Sequence, residues 1–255
     1  MSICVDLAGH VAVVTGASGQ IGRVISRRLA EAGADVVVHY HSNEDMANTV
    51  VQEIRAMGRR AVAIQADISD PDSVSSMAED IKRMFGTADI LVNAAVTQYN
   101  WTTVLEQDLA DYESQFRTCV MQNVIMAKTF VPGMQEQGWG RIIAINTECS
   151  MQTFPTQSAY VAGKRGMDGM LRVLAKEVGP YNITVNQVAP GWTITDNDRR
   201  NGTEKNAPYD NGVPLRRRGT DLEIANAVCF LASPLADYIT GVYLPVCGGN
   251  VMPTI

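Results

Sequence analysis

The stretch HVAVVTGASGQIGRVISRRLAEAGADVVVHY, residues 10–40, decides the fold of this chain. His10–Thr15 is a short β-branched run, which predicts a strand. In Gln20–Ala32 the apolar residues recur at helical spacing, which predicts an amphipathic helix that Gly33 ends. Asp35–Tyr40 then predicts a second strand. This order predicts two parallel strands joined by a right-handed crossover.

The same alternation continues to the end of the chain. Further strands are predicted at 61–66, 89–93, 141–146, 183–188 and 242–246, and helices at 44–57, 71–85, 111–137, 158–178 and 221–231. We expect Asn43 to cap the second helix, Pro71 to open the third, and Pro132 to kink the long helix at 111–137. The strands are nearly continuous apolar runs, which is typical of a sheet covered on both faces. We therefore predict a single α/β domain over residues 1–255, with a doubly wound parallel sheet of about seven strands flanked by helices.

One long segment, residues 191–219, has no clear periodicity. It combines glycines, two prolines (Pro208 and Pro214) and many polar residues. Loops of this length inside a compact domain usually serve a function or move. We interpret the segment as a lid over a substrate site.

Composition and charge exclude several classes of protein. The net charge of −6 argues against binding to the phosphate backbone of nucleic acids. The basic cluster Arg216–Arg218 is more typical of a solvated or ion-paired loop. Apolar runs fall short of the ~20 residues that a membrane span needs. Met1–Gly9 lacks the basic start and the apolar run of a signal peptide.

The five cysteines, at positions 4, 119, 149, 229 and 247, are odd in number and show no C-x-x-C spacing. We therefore expect no disulfide framework and no zinc site, and a reducing, cytoplasmic location. His39 and His41 share one face of a strand. Neither a carboxylate nor a third histidine stands near them in sequence, so we predict no metal site.

The first predicted strand runs into a glycine-rich turn, Thr15–Gly22, which reads TGASGQIG. Glycines at such a turn let the backbone approach a pyrophosphate, and the helix N-terminus adds N–H groups and a partial positive charge. A glycine cluster alone is a weak signal, because many are only tight turns. The position of this one, between the first strand and the first helix, favours a dinucleotide site.

Further motifs follow this turn in a fixed order. They are Asp67-Ile68, Leu91–Ala95 with its Asn93-Ala94-Ala95 end, Tyr160–Lys164, Pro190-Gly191 with Thr193 and Thr195, Leu231–Ser233, Thr240-Gly241 and Gly248-Gly249. Together they resemble the short-chain dehydrogenase/reductase family over about residues 8–250, and the 3-oxoacyl-carrier-protein reductase type within it. The resemblance implies a Rossmann-type fold and a nicotinamide-dependent oxidoreductase.

The resemblance also assigns candidate residues to the cofactor. They are Gly16, Ser18, Gln20, Ile21, Tyr40, His41, Ser42, Asp67, Ile68, Asn93, Ala94, Ala95, Tyr160, Lys164, Pro190, Gly191, Thr193 and Thr195. Asp67-Ile68 would contact adenine, and Thr193 and Thr195 would lie near the nicotinamide carboxamide. Lys164 would also hold the ribose hydroxyls.

Tyr160 and Lys164 are the predicted proton-transfer pair. Residues four apart lie on one face of a helix. A free tyrosine has a pKa of about 10, and a nearby ammonium is expected to lower it. The pair can then donate a proton to a carbonyl oxygen as hydride arrives, or remove one from an alcohol. Hydride would pass between the nicotinamide and the substrate carbon.

Four positions depart from the family pattern. Thr147 stands where the family has serine, and its hydroxyl can still orient a substrate oxygen in a more restricted pocket. Cys119 stands where the resemblance implies an asparagine that holds a relay water, which puts that relay in doubt. Asn123, one turn later, could compensate, but the spacing does not support it. Gln20 replaces a turn glycine, and Val96 replaces the last glycine of N-N-A-G.

The end of the second strand predicts the choice of cofactor. NAD enzymes of this kind place a carboxylate about 20 residues past the glycine turn, to bind the ribose 2′-OH. Tyr40 stands there, followed by His41, Ser42 and Asn43, which could donate hydrogen bonds to a 2′-phosphate. No arginine stands there, and position 19 is a glycine. We expect NADP(H) to be favoured, with NAD(H) possible.

We predict a reductase that interconverts a carbonyl and a secondary alcohol, with Tyr160, Lys164 and Thr147 as its catalytic residues. A substrate pocket is expected between Thr97–Trp101, Glu148–Pro155, Trp192 and the 191–219 segment, and its aromatic residues suggest tolerance of apolar or aromatic groups. Two alternatives stay open: a nucleotide-binding regulatory member without turnover, and a ketoreductase dedicated to one secondary metabolite. The family resemblance implies a homotetramer or homodimer.

Overall fold

The computed structural model describes residues 5–253. Its centre is a parallel sheet of seven strands: β1 (Val11–Thr15), β2 (Asp35–Tyr40), β3 (Ala61–Gln65), β4 (Ile90–Asn93), β5 (Gly140–Ile145), β6 (Ile183–Pro190) and β9 (Tyr243–Val246). A separate parallel pair is formed by β7 (Thr193–Ile194) and β8 (Gly219–Thr220). The strand order in the large sheet is β3-β2-β1-β4-β5-β6-β9, which confirms the predicted fold. The order reverses between β1 and β4, and ligands of open α/β sheets bind at such a switch point.

Helices cover both faces of the sheet. They are α1 (Gln20–Glu31), α2 (Glu44–Ala56), α3 (Pro71–Phe85), α4 (Leu109–Phe116), α5 (Gln122–Gln137), α6 (Cys149–Gln152), α7 (Ser158–Val178), α8 (Asp196–Asn201), α9 (Ala207–Gly212) and α10 (Asp221–Ala232). The Asn43 side chain accepts a hydrogen bond from Met46 N, and Pro71 is the first residue of α3, as expected. No helix within residues 5–253 is long and apolar enough to cross a membrane.

Two buried clusters form the core, one on each face of the sheet. The alternation of β2 illustrates the division, because Val36 and Val38 pack with α1, α2 and α10, while Val37 packs with α3, α5 and α7. Tyr40 belongs to the first cluster and is buried there. Its side chain therefore packs on the face of the sheet that α1, α2 and α10 cover.

The long helix expected at 111–137 is interrupted. A π-helical turn, Arg117–Met121, separates α4 from α5, and Pro132 lies inside α5. The physical reason lies in two amides of the next turn: Gln122 donates to the Thr118 carbonyl, and Asn123 Nδ2 donates to the Cys119 carbonyl at 2.7 Å. Side-chain donors that take backbone acceptors compete with the regular helical ladder.

The 191–219 segment contains more structure than its composition indicates. It contains β7, α8 and α9 and ends at β8. Buried Arg218 donates to the carbonyl oxygens of Thr193 and Thr203 at 2.9 and 2.8 Å, and it pairs with Asp198. Arg218, part of the basic cluster, is therefore a buried, ion-paired residue that connects distant parts of the segment.

Candidate active site

A cleft of about 1320 Å³ opens at the carboxyl ends of the central strands. It brings together Tyr160, Lys164 and Thr147 with most residues that were assigned to the cofactor: Gly16, Ser18, Gln20, Ile21, His41, Ser42, Asp67, Ile68, Ala94, Ala95, Pro190, Gly191, Thr193 and Thr195. Tyr40 and Asn93 do not line it. Tyr40 lies in the core, and Asn93 Nδ2 instead donates to Asn123 Oδ1 at 2.7 Å.

The glycine turn packs backbone against backbone. Gly16 has φ of +65°, and a Cβ there would lie 2.9 Å from Ala95 Cα; a Cβ on Gly22 would lie 2.3 Å from the Gly16 carbonyl oxygen. Gln20 is the first residue of α1 and needs no such freedom. Its Oε1 accepts a hydrogen bond from Arg23 at 2.8 Å, so its side chain lies along the helix. This is how the turn tolerates Gln20.

His39 supports this turn from β2. Its Nδ1 accepts a hydrogen bond from Gly16 N at 3.1 Å, and its Nε2 donates to the Ala66 carbonyl at 3.0 Å. This arrangement requires the neutral imidazole, because Nδ1 must carry a lone pair. Burial lowers the pKa of His39 below its ordinary value of 6.5 and favours that neutral form.

The cleft fits a dinucleotide. Helix α1 faces the cleft with its N-terminus, and Gly19 supplies no side-chain cap to its free N–H groups. Uncapped N–H groups at a helix N-terminus attract an anion such as a pyrophosphate. The Gly16–Gly22 turn would hold that group, and the β2 end with His41 and Ser42 would lie at the adenosine side.

Helix α7 carries Tyr160 and Lys164, the predicted proton-transfer pair. Tyr160 and Lys164 lie one turn apart, and Lys164 Nζ is 5.8 Å from the centre of the Tyr160 ring. Lys164 Nζ donates to the Ile145 carbonyl at 2.6 Å, which fixes the ammonium at the end of β5. Thr147 follows β5 and lines the same cleft, where its Oγ1 accepts a hydrogen bond from Cys149 N at 3.2 Å. The three predicted catalytic side chains therefore meet.

The electrostatic balance at this site differs from the one expected. Burial raises the pKa of Tyr160 above its ordinary value, although a hydrogen bond with the Thr147 side chain lowers it in part. Burial also lowers the pKa of Lys164. The direction of the Tyr160 pKa shift is opposite to the lowering that a nearby ammonium was expected to give, because desolvation is the largest influence on this phenol. The phenol is held protonated, as a proton donor to a carbonyl oxygen must be.

Cys119 is fully buried below the site, where its thiol contacts Gln115 and adjoins Gly163. Burial raises the pKa of this thiol, which favours its neutral form. The amide of Asn123 reaches back to the Cys119 carbonyl and also holds Asn93. Asn123 therefore lies one helical turn beyond Cys119 and links the Cys119 carbonyl to Asn93.

Aromatic rings surround the mouth of the cleft. Trp101 stacks near Tyr160, with ring centres 6.1 Å apart and planes inclined by 23°. Tyr99 Oη accepts a hydrogen bond from Tyr160 N at 2.8 Å. Phe154 and Trp192 also line the cleft, and like Trp101 they remain about half exposed. The predicted pocket segments therefore line the same cleft as Tyr160.

Sequence reasoning missed how Glu148 is bound. Its side chain is buried, and its carboxylate accepts hydrogen bonds from Tyr209 Oη at 2.8 Å and from Asn250 Nδ2 at 3.0 Å. Tyr209 and Asn250 are far from Glu148 in sequence, and no spacing rule links them. One indication of such a role was present in the sequence, namely the position of this carboxylate directly after Thr147.

Comparison with known proteins gives consistent matches over nearly the whole chain. A sequence profile described as Enoyl-(Acyl carrier protein) reductase matches residues 16–250. The 3-oxoacyl-(acyl-carrier-protein) reductase FabG of Staphylococcus epidermidis is 38% identical over 242 residues, which cover 94% of this chain and 98% of that protein.

Solved structures agree. The promiscuous reductase LugOII, described as catalysing keto-reduction at C1 during lugdunomycin biosynthesis, superposes with a TM-score of 0.88 at 31% identity, covering 96% of this chain and 99% of its own. A 7α-hydroxysteroid dehydrogenase complexed with NADH and 7-oxo glycochenodeoxycholic acid gives a TM-score of 0.87 at 32% identity, covering 96% and 95%. All these proteins are named as reductases or dehydrogenases, which does not favour the regulatory alternative without turnover.

Proposed function

Because the chain belongs to the short-chain dehydrogenase/reductase family and is a nicotinamide-dependent oxidoreductase of carbonyl and alcohol groups, we propose that Tyr160 is its proton donor, assisted by Lys164 and Thr147. The single observation that carries the proposal is the convergence of these three side chains in one cleft with the glycine turn. They come from two different elements, α7 and the end of β5.

A nicotinamide cofactor, when held in this cleft, would supply or accept the hydride. In reduction, the Tyr160 hydroxyl donates its proton to the carbonyl oxygen of the substrate. Its raised pKa keeps that proton in place until negative charge develops on the oxygen. The Thr147 hydroxyl orients the same oxygen. Lys164, fixed by the Ile145 carbonyl, places its positive charge near the phenolate that Tyr160 becomes.

We propose NADP(H) as the favoured cofactor. His41 and Ser42 line the adenosine side of the cleft, and they can donate hydrogen bonds to a 2′-phosphate. The β2 end has no carboxylate at positions 40–42 to repel that phosphate. NAD(H) stays the second candidate, because one similar structure contains NADH. Dissociation constants for the two reduced cofactors test this, and a tenfold or larger preference for NADH contradicts it.

The substrate is proposed to be a ketone with an apolar, ring-shaped body. Trp101, Phe154 and Trp192 offer half-exposed aromatic faces around Tyr160, and flat apolar groups stack on such faces. The description of LugOII as a promiscuous ketoreductase agrees with a ketone substrate. A 3-oxoacyl thioester is the second candidate, because the curated relatives are named for that reaction.

We further propose that the enzyme is a homotetramer or homodimer and acts in the cytoplasm. Leu109, Phe116 and Met121 are exposed along α4 and the π-helical turn, and Val173 is exposed on α7. Exposed apolar side chains clustered on neighbouring helices are typical of protein interfaces. Light scattering checks the assembly, and a monomer contradicts it. The cytoplasmic location is proposed from the number and spacing of the cysteines, which fit a reducing compartment.

The test of the proposed chemistry is Tyr160→Phe, assayed with NADPH on a panel of aryl ketones, polycyclic ketones and a 3-oxoacyl thioester. We expect kcat/KM to fall by about 10²- to 10⁴-fold, because a positioned general acid contributes that much. Tyr112→Phe is the matched control. It also removes one tyrosine hydroxyl, bonded to Ser158 Oγ at 2.7 Å, but outside the cleft. Retention of most activity in Tyr160→Phe contradicts the mechanism, whereas cofactor binding without turnover of any substrate favours the regulatory alternative.

A further inference from the structure

One buried carboxylate beside the catalytic residues has no part in the proton transfer. Glu148 follows Thr147 directly, and its side chain is only 3% exposed. Burying a carboxyl group is unfavourable unless donors satisfy it. An apolar residue would pack at this position without that penalty, so the function of Glu148 lies in what its two oxygens hold.

The two oxygens hold two distant parts of the chain. Oε1 accepts a hydrogen bond from Tyr209 Oη of helix α9 at 2.8 Å, and Oε2 accepts one from Asn250 Nδ2, beyond β9, at 3.0 Å. Tyr209 Oη in turn accepts a hydrogen bond from Trp192 N at 2.8 Å. One carboxylate therefore joins the end of β5, the 191–219 segment and the C-terminal part of the chain.

The contact is packed tightly around Gly191. A Cβ at Gly191 would lie 2.6 Å from Tyr209 Oη and 3.0 Å from Glu148 Oε2. The backbone of this turn is also fixed, because Glu148 N donates to the Pro190 carbonyl at 2.9 Å. Above it, the Tyr209 ring meets Trp192 edge to face, with ring centres 5.5 Å apart. A movement of Tyr209 away from this turn would break its hydrogen bonds with Glu148 and with Trp192 N at the Pro190–Trp192 wall of the cleft.

From these contacts we propose that Glu148 is a positioning residue that latches the 191–219 segment closed over the substrate side of the cleft, through Tyr209. The inference depends on the proposed function, because it assigns that segment to substrate enclosure. The latch acts on how the substrate is held and not on the proton transfer. Its loss should weaken substrate binding while the chemistry of Tyr160 persists.

Limited trypsin digestion tests the latch without any need for activity. The segment has five exposed cleavage sites, Arg199, Arg200, Lys205, Arg216 and Arg217. In Tyr209→Phe and in Glu148→Leu we expect cleavage inside 191–219 to be about tenfold faster, since a hydrogen bond to a charged group contributes that much. We expect Tyr112→Phe, which loses a tyrosine hydroxyl elsewhere, to be cleaved at the wild-type rate.

Two further variants separate a latch from a general structural defect. Glu148→Gln keeps an acceptor for Tyr209 Oη, and its amide can pair with the Asn250 amide. We therefore expect this variant to be cleaved at a rate within about threefold of the wild-type rate. The double variant Glu148→Leu with Tyr209→Phe should be cleaved no faster than the faster single variant, because both remove the same bond.

The test is completed by steady-state kinetics with NADPH and the ketone of the panel that the wild type reduces with the highest kcat/KM. Tyr209→Phe should raise KM by about tenfold and change kcat by less than about threefold. Wild-type cleavage and wild-type KM in Tyr209→Phe overturn the latch, and so do additive effects in the double variant. If Tyr160→Phe retains activity while the latch variants behave as expected, the proposed chemistry fails and the latch stands.

Discussion

The pH dependence of stability should show the role of His39. The perturbation is a fall in pH from neutrality, and the group that responds is a buried imidazole with both nitrogens engaged, to Gly16 N at 3.1 Å and to the Ala66 carbonyl at 3.0 Å. A proton added at Nδ1 would face the Gly16 N–H, so that two donors would oppose each other. Burial accordingly lowers the pKa of His39 from 6.5 in the native state.

The sign follows from linkage. As the pH falls below 6.5, the unfolded chain takes up a proton at position 39 and the native protein resists it, so the free energy of unfolding decreases. The slope reaches at most about 1.4 kcal/mol per pH unit. Between pH 6.5 and about pH 5 the loss from this group is therefore at most about 1.7 kcal/mol, and it ends once the pH falls below the lowered native pKa.

The assay is urea unfolding at a series of pH values for the wild type and for His39→Gln, which keeps a hydrogen-bonding amide but cannot titrate. The difference between the two curves isolates His39. Glu148, whose pKa burial raises, contributes with the opposite sign at lower pH, but it does so equally in both proteins. We expect the wild type to lose stability more steeply below 6.5. Parallel curves would refute the reasoning, since they would show that the native imidazole accepts its proton freely.

The remaining predictions concern the substrate oxygen and the cofactor. Thr147→Val keeps the shape of the side chain without its hydroxyl and should lower kcat/KM by about 10²-fold, whereas Thr147→Ser should stay within about tenfold of wild type; equal losses in steady-state assays would assign the effect to packing. His41→Asp should weaken NADPH binding by about tenfold and change NADH binding by less, because a carboxylate repels the 2′-phosphate. Fluorescence titration with both cofactors measures this, and an unchanged ratio of dissociation constants contradicts the assignment of the adenosine side.

Much of the fold could be predicted from local sequence. The run from His10 to Tyr40 contains strands and a helix whose apolar residues are spaced differently. Continuous apolar runs predict the strands, and apolar residues three or four apart predict the helix. The third helix begins at Pro71 and ends at Phe85, as predicted, because a proline and a following glycine mark its two ends. The placement of Tyr160 and Lys164 on one face of α7 was also predictable, because residues four apart on a helix lie on the same face.

The tertiary structure decided what depends on contacts between distant residues. The sequence did not reveal the π-helical turn at Arg117–Met121, because the apolar periodicity of a helix continues through it. The change in the backbone hydrogen-bond pattern comes from two side-chain amides, and the periodicity does not record it. Tyr40 was assigned to the cofactor by its position in sequence, yet its side chain packs in the buried cluster with the alternate β2 residues Val36 and Val38. The raised pKa of Tyr160 likewise arises from burial, which no spacing specifies.

The sequence by itself determined the sheet, the glycine turn and the Tyr160–Lys164 pair, because each is set by residues close together along the chain. Only the tertiary structure joined Glu148 to Tyr209 and Asn250, and His39 to Gly16. Hydrogen bonds between residues remote in sequence depend on the packing of whole elements. That packing places the Glu148 carboxylate beside Thr147 and joins it to Tyr209 of the 191–219 segment.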